Sequence, residues 1–450
     1  MRVKSLEVDF PLGLEGSETL PQGRRALKNC FNAGGPIIQR PGITKIGNTG
    51  GVGRGLFVWN ESLYGVASQV LHKIATDGTT TPIGNVTGGT AIDSAVGFND
   101  AVILDRGGNG YTLDSSDVLT TMVSPQFVAS TSVCHINGRF VYIPSDGSVA
   151  FFSDVGAADT IQTTSFFDAE ELPDKNKVCF NSKNILGIGG SDSFEFFRDI
   201  GEQIVPFRRL NARIDNGYIG GLLEYGNTFL FVGREKDQDV GIYSIGQGVA
   251  PKISNEYIDT ILKTYTVAEL ENCIPGRIKW NGFDLATFTF SRQAFGFYGG
   301  NWFELDMLND GVNEVWQGGY IKEFDQKYYS LYSDKIGRFD KINKEYGKPF
   351  QRLIDMAFIN DKRFSVQSLE YRMSQGYNTT TGSVSLQLSH DNVLYSQPFH
   401  RDTGAVGEYT KKLEWNYPGG LGAYDGFMGI RISTTEDVDF SALKVFMEMR

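Results

Sequence analysis

The chain has few of the residues that bind metal ions or form disulfides. Its 450 residues include only four cysteines and four histidines. No C-x-x-C pair occurs, and the histidines lack the spacing of the usual zinc sites. We therefore predict no disulfide framework, no metal site and no cofactor, and synthesis in a reducing compartment. The eight residues are Cys30, Cys134, Cys179, Cys273, His72, His135, His390 and His400.

Long apolar runs and clusters of basic residues are also missing. The first ten residues lack the apolar core of a signal peptide, and no run approaches the 18 apolar residues of a membrane helix. Neither a cleaved export signal nor membrane insertion is therefore expected. The net charge is −11, which argues against a general nucleic-acid-binding surface. The pairs Arg24-Arg25 and Arg208-Arg209 are predicted to be solvated or ion-paired.

What the chain does contain is a repeated motif of two apolar runs around a polar two-residue turn. The turns follow one another at intervals of 39, 38, 44, 46, 54 and 44 residues. Asn, Asp and Gly recur at the tips because they tolerate the positive φ that two-residue hairpin turns need. The clear copies turn at Asn60-Glu61, Asn99-Asp100 and Asn137-Gly138, and looser copies turn near Asn181, Asn227, Asn281 and Asp325.

A hairpin repeated at this spacing predicts an all-β fold of the β-propeller type. A sheet of three or four strands exposes unpaired edges and an apolar face, and radial stacking of several sheets covers both. We assign residues 46–348 to the propeller. Seven turns favour seven blades, and the weak fourth copy leaves six open.

The segments on either side of the propeller have different patterns. Residues 1–45 contain Gly and Pro clusters, and are predicted to form an N-terminal arm that can supply a strand to close the ring. After a boundary near residues 346–349, longer alternating strands begin, with Val384, Leu386 and Leu388 on one face. This alternation predicts a C-terminal β-sandwich-like domain over residues 349–450.

One helical segment interrupts the β pattern in the longest interval between turns. Ser254-Asn255 can cap a helix that places Ile258, Ile261, Leu262 and Tyr265 on one face. Thr266 and Glu269 have the spacing of a capping box for a second short helix. We predict a helical insertion between two blades.

Residue patterns typical of catalysis do not stand out. Among 53 acidic residues, Glu170-Glu171 alternate faces if extended and are predicted to lie in a solvated loop. The glycines of residues 50–55 precede a strand, whereas a phosphate-binding loop precedes a helix. His135 is predicted to be a partly buried core histidine, and residues 389–395 a hairpin turn. We therefore predict no catalytic, cofactor-binding or metal-binding residue, and no enzymatic activity.

Several short phrases occur in a specific order along nearly the whole chain. They are Arg40-Pro-Gly-Ile-Thr-Lys45, Arg54-Gly-Leu-Phe57, Ala169-Glu-Glu-Leu-Pro-Asp174, Gly190-Ser-Asp-Ser-Phe-Glu-Phe-Phe197, Pro206-Phe-Arg-Arg209, Ile253-Ser-Asn-Glu-Tyr-Ile-Asp-Thr-Ile-Leu262 and Tyr265-Thr-Val-Ala-Glu-Leu270. In this order they resemble the packaged-DNA stabilisation proteins of short-tailed bacteriophages, also called tail hub or nozzle proteins. One departure is Asp391-Asn392, where similar hairpins usually have Asp-Gly.

The resemblance implies a structural subunit of the virion tail, assembled in the host bacterial cytoplasm. Such subunits form a homo-oligomeric ring, typically a hexamer, below the portal and its adaptor ring. The ring extends the DNA channel, retains packaged double-stranded DNA without sequence-specific binding, and docks tail fibre, tailspike or needle proteins. No catalytic residue carries over from this family.

Other functions and contacts remain open at this point. A carbohydrate-binding or carbohydrate-cleaving propeller at the host surface would need clustered Trp and Tyr beside paired acids. A free cytoplasmic scaffold is a further alternative. For a ring, the Ser254 helix and the C-terminal domain are candidate contact surfaces, and the alternative is that the helix caps the propeller core. The five tryptophans are Trp59, Trp280, Trp302, Trp316 and Trp415.

Overall fold

The computed structural model describes residues 3–15, 26–123, 127–147, 149–168, 174–202, 204–236, 239–246, 248–309, 312–374, 382–418 and 423–449. Two pairs singled out above, Arg24-Arg25 and Glu170-Glu171, lie outside these residues. The regular structure of the described part is nearly all β, which confirms the predicted fold class.

Five short strands precede the repeated hairpins. They are β1 (Val3–Val8), β2 (Ala26–Lys28), β3 (Cys30–Asn32), β4 (Ile37–Gln39) and β5 (Gly42–Asn48). Strands β1 and β4 pair with β41 and β2 pairs with β35, both near the other end of the chain, whereas β3 pairs with β4 and β5 joins a propeller sheet.

The next four sheets are antiparallel meanders of four strands each. The first contains β6 (Gly53–Trp59), β7 (Ser62–Ala67), β8 (Val70–Ile74) and β9 (Thr80–Asn85). The second contains β10 (Ile92–Val96), β11 (Asp100–Asp105), β12 (Gly110–Asp114) and β13 (Leu119–Thr121). The third contains β14 (Ser130–Ile136), β15 (Arg139–Pro144), β16 (Ala150–Phe152) and β17 (Phe166–Phe167). The fourth contains β18 (Asn176–Ser182), β19 (Ile185–Gly190), β20 (Phe194–Asp199) and β21 (Phe207–Ile214).

Three further sheets complete the repeated part of the described chain. The fifth contains β22 (Asn216–Tyr225), β23 (Thr228–Glu235) and β24 (Gly241–Ile245). The sixth contains β25 (Ile274–Trp280), β26 (Phe283–Thr289), β27 (Ala294–Tyr298) and β28 (Asn301–Asn309), with β29 (Val312–Val315) paired to β28. The seventh contains β30 (Tyr320–Phe324), β31 (Lys327–Tyr332) and β32 (Lys335–Asp340).

These sheets pack around a common axis. Each neighbouring pair in chain order shares a cluster of buried apolar side chains, and the seventh sheet shares one with the first. In that closing cluster, Leu56 and Leu63 of the first sheet pack with Leu331 and Ile336 of the seventh. The sheets therefore form a β-propeller whose cores lie between the blades.

The N-terminal segment closes the propeller. Strand β5 pairs antiparallel with β32 and becomes the fourth strand of the seventh sheet, with Gly42 opposite Asp340. Two short strands, β33 (Lys344–Glu345) and β34 (Lys348–Pro349), extend that sheet beyond β5. A strand from the start of the chain thus covers an edge that the seventh sheet would otherwise expose.

The C-terminal strands form two layers around one core. They are β35 (Arg352–Ile359), β36 (Phe364–Met373), β37 (Ser383–Ser389), β38 (Phe399–Asp402), β39 (Leu413–Asn416), β40 (Phe427–Thr434) and β41 (Phe440–Met449). One layer has the order β3-β4-β41-β36-β39 with β1 on β41, and the other has the order β2-β35-β40-β37-β38. The predicted inward face of Val384, Leu386 and Leu388 is buried in this core.

Strand β2 connects the C-terminal layers to the propeller. It pairs in parallel with β28 of the sixth sheet and antiparallel with β35, so one sheet of ten strands spans both regions. The division into residues 1–45, 46–348 and 349–450 stays a prediction. The continuous sheet joins all three segments through backbone hydrogen bonds.

The predicted helical insertion consists of α1 (Glu256–Leu262) and α2 (Val267–Glu271). The Asn255 side chain caps α1, and Thr266 and Glu269 form the predicted capping box of α2. Ile258 and Leu262 are buried in the core between the fifth and sixth sheets. The helix therefore caps the propeller core, and its apolar face is not available for contact with another subunit. Within the described ranges, neither helix has the length or hydropathy to cross a membrane.

Candidate functional site

The first strands of the sheets converge on the propeller axis and enclose two adjoining cavities. Their volumes are about 380 and 430 Å³, and Asp93 and Arg106 line both. Arg106 follows β11, and its side chain has no ion pair among the described residues. The first cavity also contains Lys322, Glu224 and Glu323. Both acidic and basic side chains thus line the cavities at the axis.

Most carboxylates in these cavities have nearby hydrogen-bond donors or cationic groups. Asp93 accepts from the Ser132 hydroxyl at 2.8 Å and from the Val133 amide at 3.0 Å. Glu323 accepts from the Tyr328 hydroxyl at 2.6 Å. The protein surrounding Lys322 lowers the pKa of its ammonium group by desolvation, although Asp93 and Glu224 act in the opposite direction.

This arrangement does not single out a reactive group. The cavity lining contains tyrosine but no tryptophan among the described residues. The tryptophans instead pack in separate cores: Trp59 between the first two sheets, Trp302 beside the helices, and Trp316 and Trp415 in the largest cluster. The aromatic cluster expected of a glycan site is therefore not formed by these residues. In the described ranges, no three His, Cys, Asp or Glu side chains come together as metal ligands.

The other residues singled out in the sequence make contacts or adopt conformations that support the fold. His135 is half-buried, its ring lies 4.9 Å from that of Phe140, and burial lowers its pKa. Arg209, which was predicted to be solvated or ion-paired, forms an ion pair of 3.0 Å with the buried Glu195. Asn392 has a φ of 62° in the predicted turn, which confirms that Asn tolerates this position. Residues 50–52 lead into strand β6, which begins at Gly53 and contains residues 53–55.

Sequence reasoning missed the role of Arg40, which lies at the junction of the propeller and the C-terminal layers. The guanidinium donates to Asn29 Oδ1 at 2.9 Å and to the Asp306 carbonyl at 3.1 Å. It forms an ion pair of 2.6 Å with Glu345 and lies 4.0 Å from the centroid of the Phe350 ring. Arg40 and Glu345 are 2% and 0% exposed. We call Arg40 and these partners the Arg40 clamp.

Gly42 allows the chain to pass close to the Arg40 clamp. A Cβ atom at this position would lie 2.3 Å from the Lys344 carbonyl and 2.5 Å from that of Ile342. Contacts this short are not found in proteins, so a larger residue would displace β5 from the segment that carries Glu345. The Arg-Pro-Gly phrase thus combines a buried charge with a close backbone approach.

A second arginine from the ordered phrases joins the first two sheets. Arg54 is buried, and its guanidinium forms an ion pair of 3.0 Å with Asp105 of the second sheet. It also donates to four backbone carbonyls: Ser68 at 2.7 Å, Val86 at 3.0 Å, Thr87 at 3.2 Å and Thr90 at 2.6 Å. These bonds satisfy the donors of a charge that would otherwise be costly to bury.

Two further phrases meet in the fourth sheet. Asp174 accepts from the amides of Asp192 at 3.0 Å and Ser193 at 2.9 Å, and so fixes the turn before β20. The preceding residues 169–173 of the same phrase lie outside the described part. In these phrases, Arg40, Arg54 and Asp174 hold backbone segments together.

An exposed apolar surface is the second feature that sequence reasoning missed. We call it the apolar strip: Phe98, Val155, Ile200 and Ile204, which are 96%, 64%, 41% and 72% exposed. The apolar run 95–98 before the Asn99-Asp100 turn predicts a strand that includes Phe98, but β10 ends at Val96 and Phe98 lies in the hairpin turn. An aromatic residue at a turn tip, between Gly97 and Asn99, is the signal that could have revealed it.

Hydrogen bonds hold the loops of the apolar strip together across three sheets. The Asn99 amide donates to the Gly156 carbonyl at 2.9 Å, and the Asn137 amide donates to Asp199 at 3.2 Å. Asp159 and Glu202 are exposed in the same loops. The strip is therefore a fixed apolar surface with acidic neighbours, and such surfaces commonly mark contacts with other proteins.

Comparison with known proteins assigns the family. Residues 18–302 match the family described as Bacteriophage P22 Gp10, beta-propeller. The chain belongs to this family. Among curated proteins, a Gp10 relative is the "Tail hub protein gp10" of Salmonella phage P22, which is 20% identical over an alignment of 463 positions. The alignment covers 94% of this chain and 93% of that relative. The family resemblance inferred from the ordered phrases is thereby confirmed.

Solved structures similar to this Gp10 family member are distant in sequence. The Pan2 WD40 domain of Neurospora crassa has a TM-score of 0.45 at 10% identity, covering 69% of this chain and 99% of that one. BamB from Moraxella catarrhalis has a TM-score of 0.40 at 9% identity, with 75% and 97% coverage.

Proposed function

We propose that this chain is a tail hub subunit of a bacteriophage virion and acts as a structural component. The observation that carries the proposal is the alignment of the P22 tail hub protein with 94% of this chain and 93% of its own length. The family match over residues 18–302 also supports it. The sequence segments that carry the resemblance include the buried Arg40 and Arg54, which hold distant backbone segments together. Such contacts are expected in a rigid scaffold.

In this proposal, several copies form a closed ring, with a hexamer as the expected number. The ring extends the DNA channel below the portal and adaptor, retains packaged double-stranded DNA, and docks fibre, tailspike or needle proteins. Assembly takes place in the host cytoplasm. A net charge of −11 supports passage without binding, because an acidic lumen repels phosphates. We also propose seven blades, since seven sheets in the described chain share cores around the axis.

A closed ring needs two different complementary surfaces on each copy. We propose the apolar strip as one of them, because its apolar side chains are exposed and its flanking Asp159 and Glu202 are acidic. The complementary surface is the segment after β32, where Lys341 and Lys344 are exposed. The strip spans the second to fourth sheets and the lysines adjoin the seventh, so they lie on opposite sides of a seven-bladed propeller.

Particles assembled without this protein provide the direct test. We expect them to lack the distal tail and to lose packaged DNA, because no hub would close the channel below the portal. Electron microscopy and a nuclease-protection measurement of encapsidated DNA would report the two effects. Supplying the purified chain to such particles should restore both. Tails of normal length with full protection of DNA, in particles shown to lack the protein, would refute the proposed role.

A further inference from the structure

Two cationic side chains at the propeller axis lack a partner. Arg106 follows β11 of the second sheet, and Lys322 lies on β30 of the seventh. Both line the first axial cavity, of about 380 Å³, and both are exposed to solvent. Among the described residues, neither side chain forms an ion pair or a hydrogen bond. A ligand that contacted both would bridge two sheets that lie on either side of the first sheet.

Two hydroxyl groups in the same cavity are also available as donors. Ser94 lies on β10 and Tyr320 on β30, and both line the cavity together with Arg106 and Lys322. In the described part of the chain, neither hydroxyl has a hydrogen-bond partner. Burial raises the pKa of the Tyr320 hydroxyl, although Arg106 acts in the opposite direction, so this group stays protonated at neutral pH. Four donor side chains thus line one cavity without an acceptor from the described protein.

Most carboxylates of this cavity already have donors. Asp93 accepts the two bonds from the third sheet given above, and its other oxygen accepts from the Ser94 amide at 2.9 Å. Glu323 accepts from the Tyr328 hydroxyl. These two acids are therefore engaged by other groups, and neither is bonded to Arg106 or Lys322.

The remaining charges of the lining favour an anionic ligand. Asp284 holds the Arg277 guanidinium through two bonds, of 2.8 and 2.7 Å. Glu224 is a carboxylate without a donor among the described residues, and Lys279 is a further cation of the lining. With the two cations named first, unpaired cations thus outnumber unpaired carboxylates among the described residues of this cavity.

The surroundings of Lys322 make its charge costly without a counterion. Desolvation by the protein lowers the pKa of the ammonium group, and the attraction of Asp93 and Glu224 does not cancel this effect. An anion in the cavity would add negative charge beside the ammonium group and stabilise its protonated form. The charge of Lys322 therefore favours an occupied cavity over an empty one.

We propose that the first axial cavity binds a small oxyanion of the phosphate class between the Arg106 guanidinium and the Lys322 ammonium group. A guanidinium can donate two parallel N–H bonds to a phosphate, and an ammonium group adds a compact charge. The hydroxyls of Ser94 and Tyr320 supply two further donors. The second cavity, of about 430 Å³, also contains Arg106 and so has room for the organic part of a phosphomonoester.

Binding at this site would stabilise the closed propeller. Arg106 belongs to the second sheet, and Lys322 belongs to the seventh, which β5 completes. A ligand that binds the folded state and not the unfolded state raises the melting temperature in proportion to the logarithm of its concentration. The site lies within a single chain, and the proposal does not depend on the tail hub role.

Calorimetric titration of the full-length protein with sodium phosphate tests the proposal, at an ionic strength held constant with sodium chloride. We expect saturable binding of one phosphate per chain and a melting temperature that rises with phosphate concentration. Arg106→Met and Lys322→Met should each weaken binding by at least about tenfold, since each removes a charge-assisted hydrogen bond. Lys362→Met is the matched control, because Lys362 is exposed between β35 and β36 and its loss should leave the affinity unchanged.

Tyr320→Phe keeps the test decisive if a charge variant folds poorly. This substitution removes the hydroxyl and keeps the ring, so the melting temperature without phosphate should stay near that of the wild type. We expect it to weaken phosphate binding nevertheless, because one donor to the anion is lost.

Ribose 5-phosphate, as a second probe, separates the two sources of a phosphate group. Tighter binding than that of inorganic phosphate would identify a phosphomonoester as the ligand, and weaker binding would identify the free anion. The proposal is overturned if neither probe gives saturable binding. It is also overturned if the wild type, Arg106→Met and Lys322→Met bind phosphate with equal affinity.

Discussion

Replacing Arg40 with methionine is expected to lower the free energy of unfolding by about 3–5 kcal/mol. The substitution removes the cation from a pair that is almost fully buried and leaves the Glu345 carboxylate without its partner. It also leaves the Asn29 oxygen and the Asp306 carbonyl without a donor from this side chain. Urea unfolding followed by tryptophan fluorescence would measure the loss, since Trp316 lies beside the Arg40 guanidinium.

Two comparisons separate this effect from a general loss of charge. Arg363→Met breaks an exposed pair with Asp425, in which the side chains are 61% and 82% exposed, and should change stability little. The double variant Arg40→Met, Glu345→Gln should recover part of the loss, because no charge is then left buried. Equal losses in Arg40→Met and Arg363→Met would show that the Arg40 clamp is not a main support of the fold.

The loss in Arg40→Met should also depend on pH. Burial already raises the pKa of Glu345, and Arg40 opposes that increase. Without Arg40 the folded-state pKa rises further above the unfolded value, so the folded state binds the proton more tightly. Stability then falls as the pH rises through that folded-state pKa. The deficit relative to the wild type should therefore be smaller in mildly acidic solution than at neutral pH.

Replacing Phe98 with aspartate is expected to abolish assembly of the proposed ring. Phe98 is 96% exposed, so the substitution should leave the fold unaffected. The melting temperature should therefore equal that of the wild type. In a contact between copies, the new carboxylate would be desolvated in an apolar strip that already has acidic neighbours. Light scattering on the purified protein and incorporation into particles would measure assembly.

Val52→Asp is a suitable control for this prediction. Val52 is 63% exposed and precedes β6, at the end of that strand opposite to its hairpin turn. The change adds the same charge to a different surface and should leave assembly intact. Reversal of Lys341 and Lys344 to glutamate should weaken assembly as well, if these lysines face the acidic neighbours of the strip. If the Phe98→Asp protein assembles normally, the apolar strip is not a contact surface between copies of this chain.

Turns and helix ends could be predicted from the sequence because their causes are local. Asn60, Asn137, Asn281 and Asp325 have φ values between 45° and 48° at the predicted hairpin tips. The caps of α1 and α2 depend on side chains within three residues of the bonds they make. In both cases the chemistry that decides the structure lies within a few positions along the chain.

Contacts between distant segments could not be predicted in this way. Arg40 and Glu345 are 305 residues apart, and nothing near either residue indicates its partner. The pairing of β1 with β41 also depends on register between opposite ends of the chain. Phe98 was misplaced because an apolar residue next to a strand has the same pattern whether it continues the strand or enters the turn.

The pairing of both ends of the chain has a consequence for biosynthesis. The seventh sheet is complete only when β5, made early, meets β32, and β1 must wait for β41. A nascent chain therefore carries uncovered strand edges until the ribosome has delivered β41, a situation in which incomplete chains tend to aggregate. Products that end before β41 would lack the partner of β1 and remain open to chaperones and proteases, so that mainly copies containing β41 would survive.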